Sequence, residues 1–167
     1  MTISEFNNLD KVQAFTQLFK CCGSTNWAKN LVEKIPFQNI ESLKEISNQI
    51  WNLCDEKDFL EAFTHHPKIG DVKSLELKFT STKTWAAGEQ ASVGQASFET
   101  INLLAEKNQE YENKFGFIFI VCATGKTAEQ MLELLIQRLP NTIEKEIAIA
   151  ATEQNKITHI RIDKLFI

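Results

Sequence analysis

The feature that most constrains the fold is a density of helix-start signals in a chain nearly free of helix breakers. Only six glycines and three prolines are spread over 167 residues, and these are the two residue types that most disfavour a helix interior. Small polar residues recur just ahead of apolar positions spaced by three and four. Ser24 can cap a helix carrying Trp27, Leu31 and Val32. Ser42 with Glu45 reads as a capping box before Ile46, Ile50 and Trp51, in which two side chains satisfy two orphan backbone N–H groups. Asp55 opens a short helix through Phe63, and His66-Pro67 closes it, because the residue before proline avoids helical backbone angles. A long pattern runs from Thr84 to Tyr111, interrupted near Gly94. Thr127 with Gln130 and Asn141 with Glu144 make two more capping boxes, for helices ending near Leu139 and near the C-terminus.

One segment departs from this pattern. From Lys114 to Cys122 the chain is aromatic and β-branched, which by propensity is a buried strand. No other segment is convincingly β, so a strand here would lack a partner. The sequence therefore predicts an all-α, single-domain helical bundle spanning 1–167, of roughly seven or eight helices. One buried extended segment, residues 115–123, runs through it.

Composition narrows the function classes. Apolar residues make up 43% and charged residues 24% of the chain, a globular balance rather than a disordered one. The net charge is −4, with Lys and Arg scattered; nucleic-acid binding draws most of its affinity from clustered cations, so no nucleic acid is expected. The longest apolar run, Phe115 to Ala123, is far short of the ~20 residues of a membrane span, so no membrane is expected either. The start, Met-Thr-Ile-Ser-Glu, lacks the basic and apolar regions of a secretory signal, and the end, Lys-Leu-Phe-Ile, is not the peroxisomal Ser-Lys-Leu. A cytoplasmic protein is expected. Its four cysteines, Cys21, Cys22, Cys54 and Cys122, then read as reduced thiols, and their spacing is not that of a metal site.

Charges on apolar stripes point to chemistry. In the last helix Ile143, Ile147, Ala150, Gln154, Ile157 and Arg161 recur at spacings of three and four, so Arg161 shares the face that should meet the core. A buried guanidinium is costly unless an anion pairs with it. Arg161 is either a snorkelling or salt-bridged structural residue, or an arginine aimed at a carboxylate-bearing ligand. Glu89 repeats the conflict on a stripe with Trp85, Val93 and Ala96; it is a structural partner for Arg161 or a catalytic or orienting carboxylate. A third element, Thr64-His65-His66-Pro67-Lys68-Ile69-Gly70-Asp71, offers an imidazole held at a helix end, suited to proton transfer near neutral pH. A histidine pair merely complementing the helix dipole is the alternative. His65, His66 and Cys54 give no zinc-ligand spacing, so no metal is expected. Gly125-Lys126-Thr127 resembles the tail of a phosphate-binding P-loop. The glycine required five positions before Gly125 is Ile120, so the triplet reads instead as a turn and helix cap.

Taken in order along the chain, these motifs resemble those of the 2-oxo-4-hydroxy-4-carboxy-5-ureidoimidazoline (OHCU) decarboxylases. His66-Pro67-Lys68-Ile69-Gly70-Asp71 is similar to that family's His-Pro-x-Ile-Gly signature, and Glu89-Gln90-Ala91 to its Glu-Gln segment. The stretch from Lys114 to Ala123 resembles its Lys-Phe-Gly-Phe-Pro-Phe-Ile-Val-Cys stretch, with Ile118 in place of the proline. Cys22-Gly23-Ser24 with Trp27, and Lys156-Ile157-Thr158 leading to Arg161, also match. The resemblance implies an all-helical enzyme of urate breakdown that needs no cofactor and forms (S)-allantoin. It implies His66, Glu89 and Arg161 as catalytic residues. It further implies substrate contacts from Pro67, Ala86, Ala87, Gly88 and Gln90, and from Phe119, Ile120, Val121, Cys122 and Ala123. A small ureide substrate, a homodimer, and a place after urate oxidase and hydroxyisourate hydrolase are implied as well. The competing readings are a helical interaction protein of the same fold, a nucleotide-binding protein, and an enzyme acting on a related ureide.

Overall fold

The computed structural model describes residues 1–66, 73 and 98–166. Among them are eight helices and no strand: α1 (Ile3–Asn7), α2 (Lys11–Cys22), α3 (Thr25–Val32), α4 (Ile40–Trp51), α5 (Glu56–Thr64), α6 (Phe98–Phe115), α7 (Ala128–Arg138) and α8 (Ile143–Leu165). The all-helical expectation holds. No described helix is long and apolar enough to cross a membrane.

Local chemistry sets most helix ends. Ser24 caps α3 by accepting the Trp27 N–H at 3.2 Å, and Asp55 caps α5 by accepting those of Lys57 and Asp58. Thr127 and Gln130 exchange side-chain and backbone bonds at the start of α7, as their spacing predicts. Two predicted caps are corrected. The box that opens α4 is Asn39 with Ser42, so the helix begins a turn earlier than a Ser42–Glu45 box would allow. At α8 it is Thr142, not Asn141, whose hydroxyl takes a first-turn N–H, that of Lys145. Asn141 instead donates its amide to the Glu146 carboxylate at 2.9 Å, where a charged acceptor outcompetes a backbone cap.

The chain divides into two compact units. The first comprises Met1–His66, Ile120–Cys122 and Ile147–Ile167. Its core is built from Phe6, Leu18, Trp27, Leu31, Leu43, Trp51, Phe63 and Ile162. Two indoles tie helices together while burying their rings: Trp27 donates to the Ser47 carbonyl of α4, and Trp51 to the Ala151 carbonyl of α8. The second unit comprises Pro67–Phe119 and Ala123–Glu146. Tyr111, Phe115, Phe117 and Phe119 form an aromatic cluster there. Arg138, 7% exposed, is neutralised by Glu146, with Nε donating to Oε1 at 2.6 Å. The Tyr111 hydroxyl also meets Glu146, and burial followed by that bond pushes its pKa up.

The strand-like segment forms no strand. Gly116, at φ +78°, closes α6 by donating its N–H to Glu112, and residues 118–123 carry no regular structure. Ile120 and Cys122 are buried and Val121 is half-buried. A side chain, not a neighbouring strand, meets this backbone: the Cys122 N–H donates to the Glu153 carboxylate of α8 at 2.8 Å.

Candidate active site

The site begins at the end of α2. Gly23 stops that helix in the left-handed conformation, φ +86°, and its N–H donates to the Phe19 carbonyl. The last carbonyls of a helix have no partner within it and carry the negative end of its dipole. Here two side chains of α8 take them up. Arg161 Nη1 donates to the Cys21 carbonyl at 3.3 Å, and Gln154 Nε2 donates to the Cys22 carbonyl at 3.2 Å. Gln154, Thr158 and Arg161 lie four and three residues apart, so one face of α8 presents all three.

The end of α5 brings in the imidazole. His65 caps that helix and packs edge-on against the Phe19 ring, 4.8 Å between centroids. It lies so close to Gly23 that a Cβ there would come within 2.7 Å of the His65 Cβ. Gly23 is thus required twice, for its backbone angle and for this approach. His65 therefore serves as the docking residue, and His66 turns inward. Its Nε2 meets Gln154 Oε1, and its Nδ1 lies 3.5 Å from Arg161 Nη2. Burial is the main cause that lowers the His66 pKa below its ordinary value; the bond to Gln154 opposes this, and the Arg161 charge adds to it. The imidazole is therefore neutral near neutral pH.

Arg161 contrasts with Arg138. Arg138 has its carboxylate; among the described residues, none lies within salt-bridge distance of the half-buried Arg161. Its donors go to a carbonyl and a neutral imidazole, neither of which cancels its charge. The arrangement can bind an anion beside a neutral base.

Of the residues singled out from sequence, the structure brings His66 and Arg161 together and places Ile120, Val121 and Cys122 in the same compact unit. Phe119 and Ala123 belong to the second unit. Pro67, Ala86, Ala87, Gly88, Glu89 and Gln90 lie outside the described residues. The stripe on α8 needs one correction: Ile147, Ala150 and Gln154 are buried as expected, but Ile143 is 47% exposed. Gln154 is a polar residue on the same buried stripe, the same conflict between burial and polarity that Arg161 presents. Cys21 and Cys22 supply no nucleophile at neutral pH: burial raises the first to about 11 and the second to about 12. Nor does Gly125-Lys126-Thr127 form a phosphate cradle. Gly125 sits at φ +74° in a turn closed from Lys126 to Ala123, and the Thr127 hydroxyl is taken up in the cap of α7.

The family profile described as OHCU decarboxylase matches residues 7–163. The chain is 37% identical over 146 residues to the uric acid degradation bifunctional protein TTL of Arabidopsis thaliana, covering 87% of this chain and 45% of that protein. It thus spans less than half the length of that relative. It is 25% identical over 167 residues to a 2-oxo-4-hydroxy-4-carboxy-5-ureidoimidazoline decarboxylase of Halalkalicoccus jeotgali, covering 99% and 92% of the two chains. A crystal structure of OHCU decarboxylase in the presence of (S)-allantoin superposes at a TM-score of 0.72 with 37% identity, over 90% of this chain and 97% of that one. With a profile match across nearly its whole length, the chain belongs to the OHCU decarboxylase family.

Proposed function

We propose that this protein removes the carboxylate of 2-oxo-4-hydroxy-4-carboxy-5-ureidoimidazoline as carbon dioxide and yields (S)-allantoin. The observation that carries the reading is a half-buried Arg161 without a carboxylate partner among the described residues, set 3.5 Å from the Nδ1 of His66. A cation in want of an anion beside a neutral base fits a small substrate that bears both a carboxylate and a hydroxyl. The names of the relatives support the same substrate.

The chemistry needs little from the protein beyond charge and position. The bond from ring carbon to carboxylate breaks; its electron pair forms a C=C bond to the neighbouring ring carbon, and the pair of the adjacent C=N, the electron sink, passes to the ring nitrogen, which takes up one proton from solvent. No added cofactor is needed for that step. The enol-like species that results gives up its hydroxyl proton and takes a proton on the neighbouring ring carbon from one face, which sets the (S) configuration. In this reading His66 meets the hydroxyl and carboxylate region and moves a proton, and Arg161 stabilises the negative charge that develops. Glu89 orients the substrate through its hydroxyl or ring N–H groups. Pro67, Ala86, Ala87, Gly88, Gln90 and the backbone from Phe119 to Ala123 surround the ring. The protein works in the cytoplasm as a homodimer of one catalytic domain, after urate oxidase and hydroxyisourate hydrolase.

The test generates the ureidoimidazoline from urate with those two enzymes, adds this protein, and follows ultraviolet decay with circular dichroism of the product. Accelerated decay with (S)-allantoin supports the reading; decay at the blank rate to racemic product refutes it. Light scattering on the eluting protein tests the dimer.

A further inference from the structure

Gln154 is fully buried in the middle of α8, and the bonds it makes have only one consistent polarity. The Cys22 carbonyl can only accept, so the atom 3.2 Å from it must be the amide nitrogen of Gln154. The second proton of that nitrogen points to Thr158 Oγ1 at 3.2 Å. This hydroxyl gives its own proton to the Gln154 backbone carbonyl at 3.0 Å and so accepts from the side chain. Both amide protons are committed, which turns Oε1, an acceptor, toward His66. The imidazole must then carry its proton on Nε2 to meet that oxygen. Nδ1 is left with a bare lone pair, facing the Arg161 guanidinium, which can only donate.

We infer that Gln154 is a positioning residue that holds His66 in the Nε2-protonated tautomer and fixes Nδ1 as the atom that accepts a proton. The inference rests on His66 acting as proposed above. The order of events follows from the chain: the end of α2 orients Gln154, Gln154 orients the imidazole, and the imidazole offers its lone pair on the side where Arg161 would hold an anion. The other tautomer would set an N–H against the guanidinium and a lone pair against Oε1, losing two bonds in a buried site.

The first test is the tautomer of His66 in the ¹⁵N-labelled wild-type protein, read from long-range proton–nitrogen correlations of the imidazole nitrogens above the His66 titration. His65→Gln and His159→Gln variants assign the signals. A protonated Nε2 and a bare Nδ1 are expected. Gln154→Leu should lose that pattern and lower kcat by about tenfold or more, the scale on which the partner of a histidine N–H contributes, with KM within about twofold. Gln154→Glu keeps an acceptor for Nε2–H and adds negative charge, so His66 should titrate at higher pH and carry the acid limb of the kcat profile with it. Thermal stability alone would move none of these readouts in that pattern. A wild-type His66 protonated on Nδ1 overturns the inference, as does a folded Gln154→Leu protein with unchanged tautomer and kcat. The tautomer measurement needs no substrate, so a failure to turn over the ureidoimidazoline would count against the proposed function and leave the assignment of Gln154 to be decided separately.

Discussion

At the scale of residues, two arginines and two histidines stand in contrast. Arg138 is neutralised by Glu146 and belongs to the packing of its unit; Arg161 is left with neutral partners. His65 packs against Phe19 and Gly23, and His66 is the histidine proposed to react. Replacing His66 with Asn keeps the size and polarity of the side chain but removes the titrating nitrogen. The variant should fold and lose at least roughly 100-fold in kcat, the lower end of what a positioned acid–base group contributes; circular dichroism with steady-state rates checks both. The pH dependence has a fixed sign. Because burial and the Arg161 charge lower the His66 pKa below 6.5, the neutral base persists to lower pH than an ordinary histidine would allow. The acid limb of kcat/KM should therefore have its midpoint below 6.5. Arg161→Gln removes one cause of that lowering, so His66 should titrate at higher pH in the variant while kcat falls; a proton-detected titration of the imidazole reads the shift.

At the scale of elements, what could be read in advance was what depends on neighbours in sequence. The caps of α3, α5 and α7 were legible because Ser24, Asp55 and Thr127 meet N–H groups two or three residues away. Asn141 misled because its amide is claimed by Glu146, five residues on, in a buried cluster that also takes in Tyr111 and Arg138. The stretch after Phe115 was legible as non-helical but not in its partner, since Glu153 is 31 residues from the Cys122 N–H that it accepts. Arg161 was legible as a charge on an apolar stripe. What it meets was not: the Cys21 carbonyl is 140 residues away along the chain. Gly23 links these elements, and its replacement is the sharpest test of how α2 and α5 build the site. Gly23→Ala should cost about 1–2 kcal/mol for the left-handed backbone alone, more with the contact to His65. At a minimum the melting temperature should fall by roughly 2–8 °C. The displaced His65 should shift the His66 signals as well, which a purely local strain at residue 23 would leave in place.

At the scale of the whole molecule, acid should act mainly through the first unit, which contains both histidines with lowered pKa values. His66 is lowered chiefly by burial; so is His159, with Lys44 adding and Asp163 opposing. The His159 Nε2 is itself buried without a hydrogen-bond partner among the described residues. In the unfolded chain both should titrate near 6.5, the ordinary value, so below that pH the unfolded state binds more protons than the folded one. Their contribution to stability is thus complete above 6.5 and is lost as the pH falls through the depressed folded values. Thermal melts between about pH 7.5 and about pH 5.5 should show stability falling, and a His66→Asn, His159→Gln double variant should show a shallower slope. Equal slopes would mean that other groups carry the acid response.

Arg161 and His66 are proposed to serve the decarboxylation of a carboxylated ureidoimidazoline, and the decisive measurement is stereochemical. Substrate made in situ from urate is mixed with the protein, and the optical activity of the allantoin is recorded alongside the rate at which the ultraviolet signal decays. Faster decay than the blank, (S)-allantoin as product, and loss of both with His66→Asn and with Arg161→Gln are expected. Racemic allantoin at the blank rate from folded wild-type protein would contradict it.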